Sequence, residues 1–345
     1  MSIKVIIPET EDHKFNELNE VKNSIFLAGP CPRNKEQKDW RDDAIKYLES
    51  LGWDGIIINP TNRFYDDTDQ DHLRKQTLWE MEACYKASAI VFWIERTPEN
   101  PAYTTNIEFG NWFEKDGVFV GWTEKAMKNA YLDERLKIIG KERYHSLESL
   151  LDAVVSDLTR EPKTWFIADT HFSQERTLEL SKRPFRNTQE MDWVMISRWN
   201  KHIRPNDTVY HLGDFGDNFG YLDFLNFGTM HLVVGNYEKP LCYPPVDFDF
   251  PNVKIYEKRG DCKVTLADGR EVICIHEPLD PDGRTDFSND LCLYGHIHGR
   301  TLYKLNGTDC AVDSHNFAPI SEEEIIWRLN AIQYLDDNVW VNTCK

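Results

Sequence analysis

The sequence predicts an α/β protein in two parts, each a sheet covered by helices. Three observations predict it. Short unbroken apolar runs recur along the chain, such as Ile56-Ile57-Ile58 and Ile90-Val91-Phe92-Trp93, and a strand apolar at successive positions is one buried on both faces. Helix-forming stretches alternate with these runs, the pattern of a parallel sheet with crossover helices. A charged, proline-containing stretch, Thr159-Arg160-Glu161-Pro162-Lys163, then interrupts the alternation and reads as a linker. The expected division is residues 1–21 as an arm or edge element with no catalytic role, 22–158 as a first domain, 159–163 as the linker and 164–345 as a second domain. The first domain is expected to be a doubly wound, mainly parallel sheet. The second is expected to be α/β with a mixed, two-sheet core.

Taken in order, Ser24-Ile25-Phe26-Leu27-Ala28 is a buried strand running into a loop at Gly29-Pro30. Residues from Gln37 to Leu51 suit a helix ended by Gly52. Gly55 to Asn59 is a second strand, stopped by Pro60. Leu78 to Ala87 suits a helix, Ala89 to Ile94 a third strand, Thr104 to Phe113 a further helix and Val118 to Gly121 a fourth strand. After the linker, Thr164 to Ala168 is a strand. Asn187 with Glu190 three residues on has the form of a capping box, for a helix reaching about His202. Thr208–Leu212, His231–Val234, Val272–Ile275 and Leu291–Tyr294 read as further strands.

Composition narrows the functions. The 345 residues carry a formal net charge of −18, which repels nucleic-acid backbones and anionic membranes. A small anionic substrate remains admissible, because a bound cation inverts the local potential. No run of about 18 apolar residues is present, so no membrane span is expected. The first residues, Met1-Ser2-Ile3-Lys4-Val5-Ile6-Ile7-Pro8-Glu9, lack the apolar core of a signal peptide. The eight cysteines contain no C-x-x-C pair and are expected as reduced, mostly buried thiols of a cytoplasmic protein.

In the second half, chemistry gathers where strands end. Asp169-x-His171 follows the first strand, Gly213-Asp214 the second, Gly235-Asn236 the third, His276 the fourth and Gly295-His296-Ile297-His298 the fifth. These are oxygen and imidazole ligands of the kind that hard or borderline divalent ions accept, and glycine beside a ligand lets the backbone turn sharply. Asp214, with two carboxylate oxygens, can bridge two ions about 3.5–4 Å apart. His13, His72 and His145 have no such company and read as ordinary residues. The ordered set of motifs, over roughly Thr164 to Ser321, resembles the calcineurin-like metallophosphoesterase family. The resemblance implies an αββα-type sandwich. It also implies one ion held by Asp169, His171, Asp214 and His298, and a second by Asp214, Asn236, His276 and His296. Mn²⁺ is the first expectation, with Fe or Zn²⁺ next. The family commonly has His after the Gly-Asn pair, to protonate the leaving oxygen. Here the residue is Tyr237, and a phenol's ordinary pKa of about 10 is a poorer match near neutral pH. Three readings follow: Tyr237 is the substitute acid, His211 or His315 serves instead, or the substrate has a good leaving group.

The first half carries quieter motifs: Leu27-Ala28-Gly29-Pro30, Trp40-Arg41, Asn59-Pro60, Gln76, Trp79-Glu80, Phe92-Trp93-Ile94 and Thr104-Thr105-Asn106-Ile107-Glu108-Phe109-Gly110. A carboxylate in the first turn of a helix is favoured by the backbone N–H groups and the helix dipole, which would keep Glu108 ionised. Arg41 offers a bidentate contact to phosphate, or equally a surface salt bridge. Trp40, Trp79 and Trp93 offer stacking surfaces or, for at least two of them, core packing. Together the motifs, from about Asn23 to Tyr131, resemble the nucleoside 2-deoxyribosyltransferase-like family, with its flavodoxin- or Rossmann-like sheet. The resemblance implies that Glu108 attacks the anomeric carbon, with Gly29, Pro30, Arg41, Trp93, Thr105 and Asn106 around the substrate. Two aspartates of that family are replaced by Ala87-Ser88-Ala89 and Ala102-Tyr103, which puts deoxyribosyl transfer in its usual form in doubt.

The resulting expectation is a bifunctional nucleotide-metabolising enzyme: a metal-dependent phosphoesterase joined to an N-glycosidase or deoxyribosyltransferase-like domain. The alternative is a phosphoesterase regulated by a non-catalytic nucleotide-binding domain. The expected partner is a small nucleotide or nucleoside, with no non-specific nucleic-acid binding, no membrane, and room for a homo-oligomer.

Overall fold

The structure, a computed structural model, describes residues 3–19, 21–32, 37–66, 68–216, 218–238, 250–278, 290–300, 303–304 and 307–333. The chain forms two compact units. One comprises Met1–Arg160 with Asn200–Pro205 and Asp223–Asn226; the other comprises Glu161–Trp199, Asn206–Leu222 and Phe227–Lys345. Among the described residues, no helix is long and apolar enough to cross a membrane.

The first unit runs β1 (Lys4–Ile6), β2 (Ser24–Ala28), α1 (Trp40–Ser50), β3 (Ile56–Ile58), α2 (Gln70–Lys86), β4 (Ala89–Trp93), α3 (Tyr103–Trp112), β5 (Val118–Gly121), α4 (Ala130–Ile138) and α5 (Leu147–Leu158). The strands form one sheet in the order β1-β3-β2-β4-β5, and every pairing is parallel. β2 and β4 are buried at every position, as unbroken apolar strands in the middle of a covered sheet must be. Their side chains alternate between two cores. Ile25, Leu27, Val91 and Trp93 meet Ala44 and Leu48 of α1 and Leu150, Leu151 and Val154 of α5. Phe26, Ala28, Ile90 and Phe92 meet Trp79, Ala83 and Cys84 of α2, Phe109 and Trp112 of α3, and Leu132 and Leu136 of α4. From β2 the chain steps to β3 on one side; from β3 it crosses back to β4 on the other. That reversal is a topological switch point, and open α/β sheets bind ligands outside the C-terminal strand ends at such a point.

One detail sharpens the sequence reading and one differs from it. The N-terminal residues are an edge element that reaches the core: β1 pairs with β3, and Leu18 and Val21 are buried. Helix α2 starts eight residues before Leu78, because the Asp69 carboxylate caps it, accepting from the N–H groups of Asp71 at 2.9 Å and His72 at 3.3 Å. The first turns of α2 are mostly polar and show no apolar stripe, so periodicity alone could not find them.

The second unit runs β6 (Thr164–Ile167), α6 (Glu175–Leu180), α7 (Thr188–His202), β7 (Thr208–His211), β8 (Thr229–Val233), β9 (Val253–Tyr256), β10 (Lys263–Thr265), β11 (Glu271–Cys274), β12 (Cys292–Tyr294), β13 (Tyr303–Lys304), β14 (Gly307–Asp309), β15 (Ile320–Ser321) and α8 (Glu322–Gln333). Two five-stranded mixed sheets result, β15-β6-β7-β8-β9 and β10-β11-β12-β14-β13. They share a core in which Phe166, Tyr210, Leu212 and Val233 of the first sheet meet Val272, Cys274 and Leu293 of the second, closed by Ile325 and Leu329 of α8. This is a sandwich built on parallel strands that end on one side. At the start of α7, Asn187 Oδ1 accepts from Glu190 N at 2.9 Å, but the reciprocal bond of the capping box goes one residue earlier, from Arg186 N to Glu190 at 2.7 Å. Cys84, Cys262, Cys274, Cys292 and Cys310 are buried free thiols and Cys31 is exposed; Cys242 and Cys344 lie outside the described residues.

Asp207, fully buried, ties the start of β6 to β7. Its carboxylate accepts from Lys163 N at 2.8 Å and from the Trp165 indole N–H at 2.9 Å. Asp207→Ala is expected to destabilise the protein by about 3 kcal/mol, the loss of two hydrogen bonds to a buried charge. Denaturant unfolding would show it as a lowered midpoint; an unchanged midpoint would mean that this tie carries no stability.

Candidate functional site

The expected metal ligands hang from strand ends of both sheets. Asp169 and His171 follow β6, Asp214 follows β7, Asn236 follows β8, His276 follows β11, and His296 and His298 follow β12. Five of them occupy the left-handed backbone region: Asp169 (φ 58°), His171 (50°), Asp214 (55°), His296 (73°) and His298 (47°). Such conformations are uncommon for residues with a Cβ and persist where the surroundings hold them, typically at functional sites. Backbone bonds do the holding. Asp169 N donates to Gly213 O at 3.0 Å and His171 N to Asp214 O at 3.0 Å. His296 N donates to the Asp169 carboxylate at 2.8 Å. The neighbouring glycines are demanded by close approach. A Cβ on Gly235 would lie 2.3 Å from Asp214 Oδ1, and one on Gly295 would lie 2.5 Å from Asp169 Oδ2.

Two clusters result, Asp169–His171–His298 and Asp214–His276–His296. Within each, the potential ligand atoms all lie within 4.8 Å of one another. Asp214 Oδ2 stands between them, 3.5 Å from His171 Nε2 and 3.3 Å from His276 Nε2. Asn236 Oδ1 lies 2.9 Å from His276 Nε2 and 3.0 Å from His296 Nδ1. Three imidazoles have their tautomer set from behind. His276 Nδ1 donates to Leu212 O at 2.8 Å, His298 Nδ1 to Asp313 Oδ2 at 2.8 Å, and His171 Nδ1 to the Gln174 carboxamide oxygen. Each then turns its Nε2 to the centre, where loss of the proton would free a lone pair for a metal ion. His171 Nε2 is buried and makes no hydrogen bond. A buried nitrogen lone pair facing carboxylates is costly unless a cation completes it, so the donor set fits divalent ions.

The electrostatics of the ligand set agree. Burial, above all, lifts the Asp169 carboxyl to about 7 and lowers His171 to about 4, leaving its imidazole neutral. His276 is lifted to about 9 by its bond to Asp214 and the charge of Asp169, against the opposing effect of burial. Asp214 falls to about 2 through His276 and His171, again against burial. The set holds protons that a bound cation would displace.

Several residues that the sequence reading left without a role complete the site. The Arg183 guanidinium is fully buried and grips both oxygens of Asp313, at 2.9 and 2.8 Å. It also donates to Thr170 O at 3.0 Å and Asp169 O at 2.6 Å. Asp313, held at about 2 chiefly by His298 and Arg183 against burial, therefore orients His298. Glu238, fully buried, accepts from Gly235 N at 2.7 Å, Phe215 N at 2.6 Å and Asp214 N at 3.1 Å, so it closes the Gly-Asp and Gly-Asn loops onto each other. Arg183 and Asp313 are 130 positions apart, and no local spacing reveals the pair. Glu238 stood two residues after Asn236 and was open to the same reasoning as the ligands.

Of the three groups weighed as acid, Tyr237 sits at the rim, partly exposed, its ring edge-on to His171 at 4.9 Å. His211 is fully buried and held at about 3 by burial, with Nε2 against Thr170 Oγ1. His315 has Nε2 on Asp309 O at 2.7 Å and is lowered to about 4 by burial and Arg328. Neither histidine is available to protonate a leaving group.

The structure places the residues of the first unit differently from the expectation. Arg41 is fully buried. It donates to Leu27 O at 2.9 Å, Gly29 O at 2.8 Å, Pro30 O at 3.2 Å and Asp39 Oδ1 at 3.1 Å. It is a brace for the loop after β2 and neither a phosphate ligand nor a surface ion pair, because its N–H groups are spent on carbonyls. Gly29 passes so close to β4 that a Cβ would lie 2.4 Å from Trp93 O. Trp93 is core, and Trp79 is core with its N–H bonded to Asn16 O at 2.8 Å. Trp40 alone of the three keeps partial exposure, beside Gly29, with its N–H on Pro30 O at 3.3 Å. Thr105 is buried, whereas Asn106 is exposed and bonded to Arg96. Glu108 lies in the second turn of α3, past the free N–H groups of the helix start. Burial, aided by the charge of Glu80, lifts it to about 8 against the pull of Arg41. The expected stabilisation of its charged form is therefore absent. Of the residues read as ordinary, His13 and His72 both meet the buried Glu9 carboxylate, at 3.1 and 2.9 Å.

Asp313→Ala frees His298 to rotate and is expected to weaken divalent-ion binding about 10- to 100-fold, read by competition with a chelator. Unchanged affinity would remove the orienting role. Loading Mn²⁺ at pH 7 should release about one to two protons per molecule, because His276 and Asp169 must deprotonate to bind. Affinity should accordingly fall as pH falls. Calorimetry in buffers of different ionisation enthalpy measures the release, and a buffer-independent heat would contradict it.

Comparison with known proteins follows the same division. Residues 22–126 match the family described as nucleoside 2-deoxyribosyltransferase like. Residues 163–312 match the calcineurin-like phosphoesterase superfamily domain. An uncharacterized protein of Methanocaldococcus jannaschii is 28% identical, over 48% of this chain and 89% of its own length. The crystal structure of a protein of unknown function from Aquifex aeolicus is 26% identical, over 48% of this chain and 98% of its own, with a TM-score of 0.36; a score so low carries no argument about fold. The chain thus carries one region similar to the nucleoside 2-deoxyribosyltransferase-like family and, after it, one similar to the calcineurin-like phosphoesterase superfamily domain.

Proposed function

We propose that the protein is a bifunctional nucleotide-metabolising enzyme, hydrolysing a phosphoester with its C-terminal domain and breaking an N-glycosidic bond with its N-terminal one. The observation that carries the first activity is the convergence of two ligand clusters on Asp214, with tautomer-set imidazoles facing inward. Asp169, His171, Asp214 and His298 would hold one divalent ion, and Asp214, Asn236, His276 and His296 the other, Mn²⁺ being the first candidate and Fe or Zn²⁺ the next. Such ions supply charge neutralisation for the phosphoryl oxygens and an activated water. The chain's own residues do the rest. Asp313 and Gln174 keep the imidazoles aimed, Glu238 holds the Asp214 and Asn236 loops together, and exposed His296 marks the open side where substrate enters. Tyr237, partly exposed and edge-on to His171, would protonate the leaving oxygen. A phenol is a weak acid for that task, which favours esters or anhydrides with good leaving groups.

For the N-terminal domain, the support is the position of Glu108 in the second turn of α3, the helix that follows β4 at the switch point of the sheet. Glu108 would attack the sugar carbon and expel the base, as in a retaining glycosidase. A second reading is favoured by the absence of the family's two aspartates at Ala87-Ser88-Ala89 and Ala102-Tyr103: this domain binds a nucleotide without cleaving it and regulates the phosphoesterase.

The test incubates the protein and Mn²⁺ with nucleosides, nucleotides, cyclic nucleotides and nucleotide sugars, following free base and phosphate chemistry by mass spectrometry. His298→Ala should cut phosphoester turnover by more than about a hundredfold and spare base release. Glu108→Ala should abolish base release alone. Phosphoester turnover with no base release from any substrate would select the regulatory reading; no turnover of either kind would refute the proposal.

A further inference from the structure

We propose that Asp309 is a positioning residue for the ligand His298: its carboxylate clamps the loop that carries His298 to the turn that carries Asp313. The inference rests on the metal-dependent reading of the second unit given above. It assigns a role to a buried carboxylate outside both ligand clusters.

The bond that aims His298, from its Nδ1 to Asp313 Oδ2 at 2.8 Å, joins two separate segments. His298 lies past the end of β12, and Asp313 lies in the turn Val312–Ser314 past the end of β14. The two strands pair in parallel, with Tyr294 opposite Asp309 at their C-terminal ends. Both segments leave the sheet there. A single hydrogen bond between two irregular segments is held only if something else fixes their separation.

Asp309 does so. It is fully buried at the end of β14. Its Oδ2 accepts from Gly299 N at 3.2 Å and from Ser314 Oγ at 2.6 Å. Gly299 directly follows His298, and Ser314 directly follows Asp313. One oxygen therefore holds the neighbour of each partner in the orienting pair. The other oxygen, Oδ1, accepts from Ala311 N at 2.9 Å and tightens the turn. The approach is close: a Cβ on Gly299 would lie 2.9 Å from Ser314 Oγ. His298 and Gly299 both have positive φ, 47° and 73°, conformations that persist where the surroundings hold them.

The clamp is itself anchored. Asp309 O accepts from His315 Nε2 at 2.7 Å, and His315 Nδ1 accepts from Arg328 at 3.0 Å. The turn is tied to the ligand side as well, by Val312 N on Ala168 O at 3.0 Å. A buried carboxylate with three donors can be a structural tie and nothing more, as Asp207 is. Asp309 differs in what it ties, because a metal-binding imidazole loses affinity when its orienting partner moves.

The experiment is calorimetric titration of Mn²⁺ into the full chain at pH 7, where the two ligand clusters predict two ions per chain. Asp309→Ala should weaken one ion about tenfold or more and leave the other within about twofold. Combined with Asp313→Ala, it should add less than about twofold to the loss from Asp313→Ala alone, since both act through His298. Asp207→Ala, which removes a buried tie away from the ligands, should leave both ions bound as before. Ser314→Ala is the milder variant, removing one of the three donors, and should weaken the same ion about threefold; it decides the matter if Asp309→Ala does not fold. Equal weakening of both ions, full additivity with Asp313→Ala, or no weakening by either variant would overturn the positioning role and leave the metal reading standing. No binding of Mn²⁺ or Zn²⁺ by the unaltered protein would overturn both.

Discussion

The phosphoesterase site depends on one hub, the backbone and carboxylate of Asp169. Its N–H is bonded to Gly213 O, its carbonyl accepts from Arg183, and its carboxylate accepts from His296 N. Loops from β6, β7 and β12 are thereby drawn to one point, with Asp169 itself at a positive φ. The strain is tolerable because several bonds share it. It also explains the glycines: Gly235 and Gly295 lie where no Cβ can stand. The loops converge because the parallel strands carrying them end together, and no single loop holds a complete ligand set.

Buried charge is handled in two ways within the chain. Arg41 and Arg183 are both wholly buried guanidiniums, and each is satisfied by carbonyl oxygens plus one carboxylate. A buried charge so paired rigidifies what it touches, whereas an unpaired one is costly. Arg41 fixes the loop after β2 against Trp93; Arg183 fixes the Asp169–Thr170 loop and, through Asp313, His298. The carboxylates differ. Glu238 is fully buried and accepts from three backbone N–H groups, which offset the upward push of burial and Asp214 on its carboxyl and give it a structural role. Glu108 is lifted to about 8 by burial and by Glu80, against the pull of Arg41, the kind of perturbation that gathers at functional sites.

Much of this was legible in the sequence. The strands around Ile25, Ile57, Ile90 and Val209 could be read because a covered parallel sheet needs unbroken apolar runs. The clustering of Asp169, His171, Asp214, His276, His296 and His298 could be suspected because ligand-type residues recur at strand ends. The early turns of α2 could not, since they are mostly polar and owe their start to the Asp69 cap. Nor could the true surroundings of Glu108, because a helix start and a second turn differ by only a few residues in sequence.

By itself the sequence determined the α/β class, the residue types gathered at strand ends and the two family resemblances. These are local or additive properties, set by periodicity and by the spacing of motifs. Tertiary structure alone decided that Arg41 is spent on the Gly29–Pro30 loop, that His211 is buried, and that Asp313 and Arg183 meet across 130 positions. Each depends on which distant backbone carbonyl or carboxylate arrives beside a given side chain. That is settled by how strands and helices pack, and spacing along the chain holds no record of it.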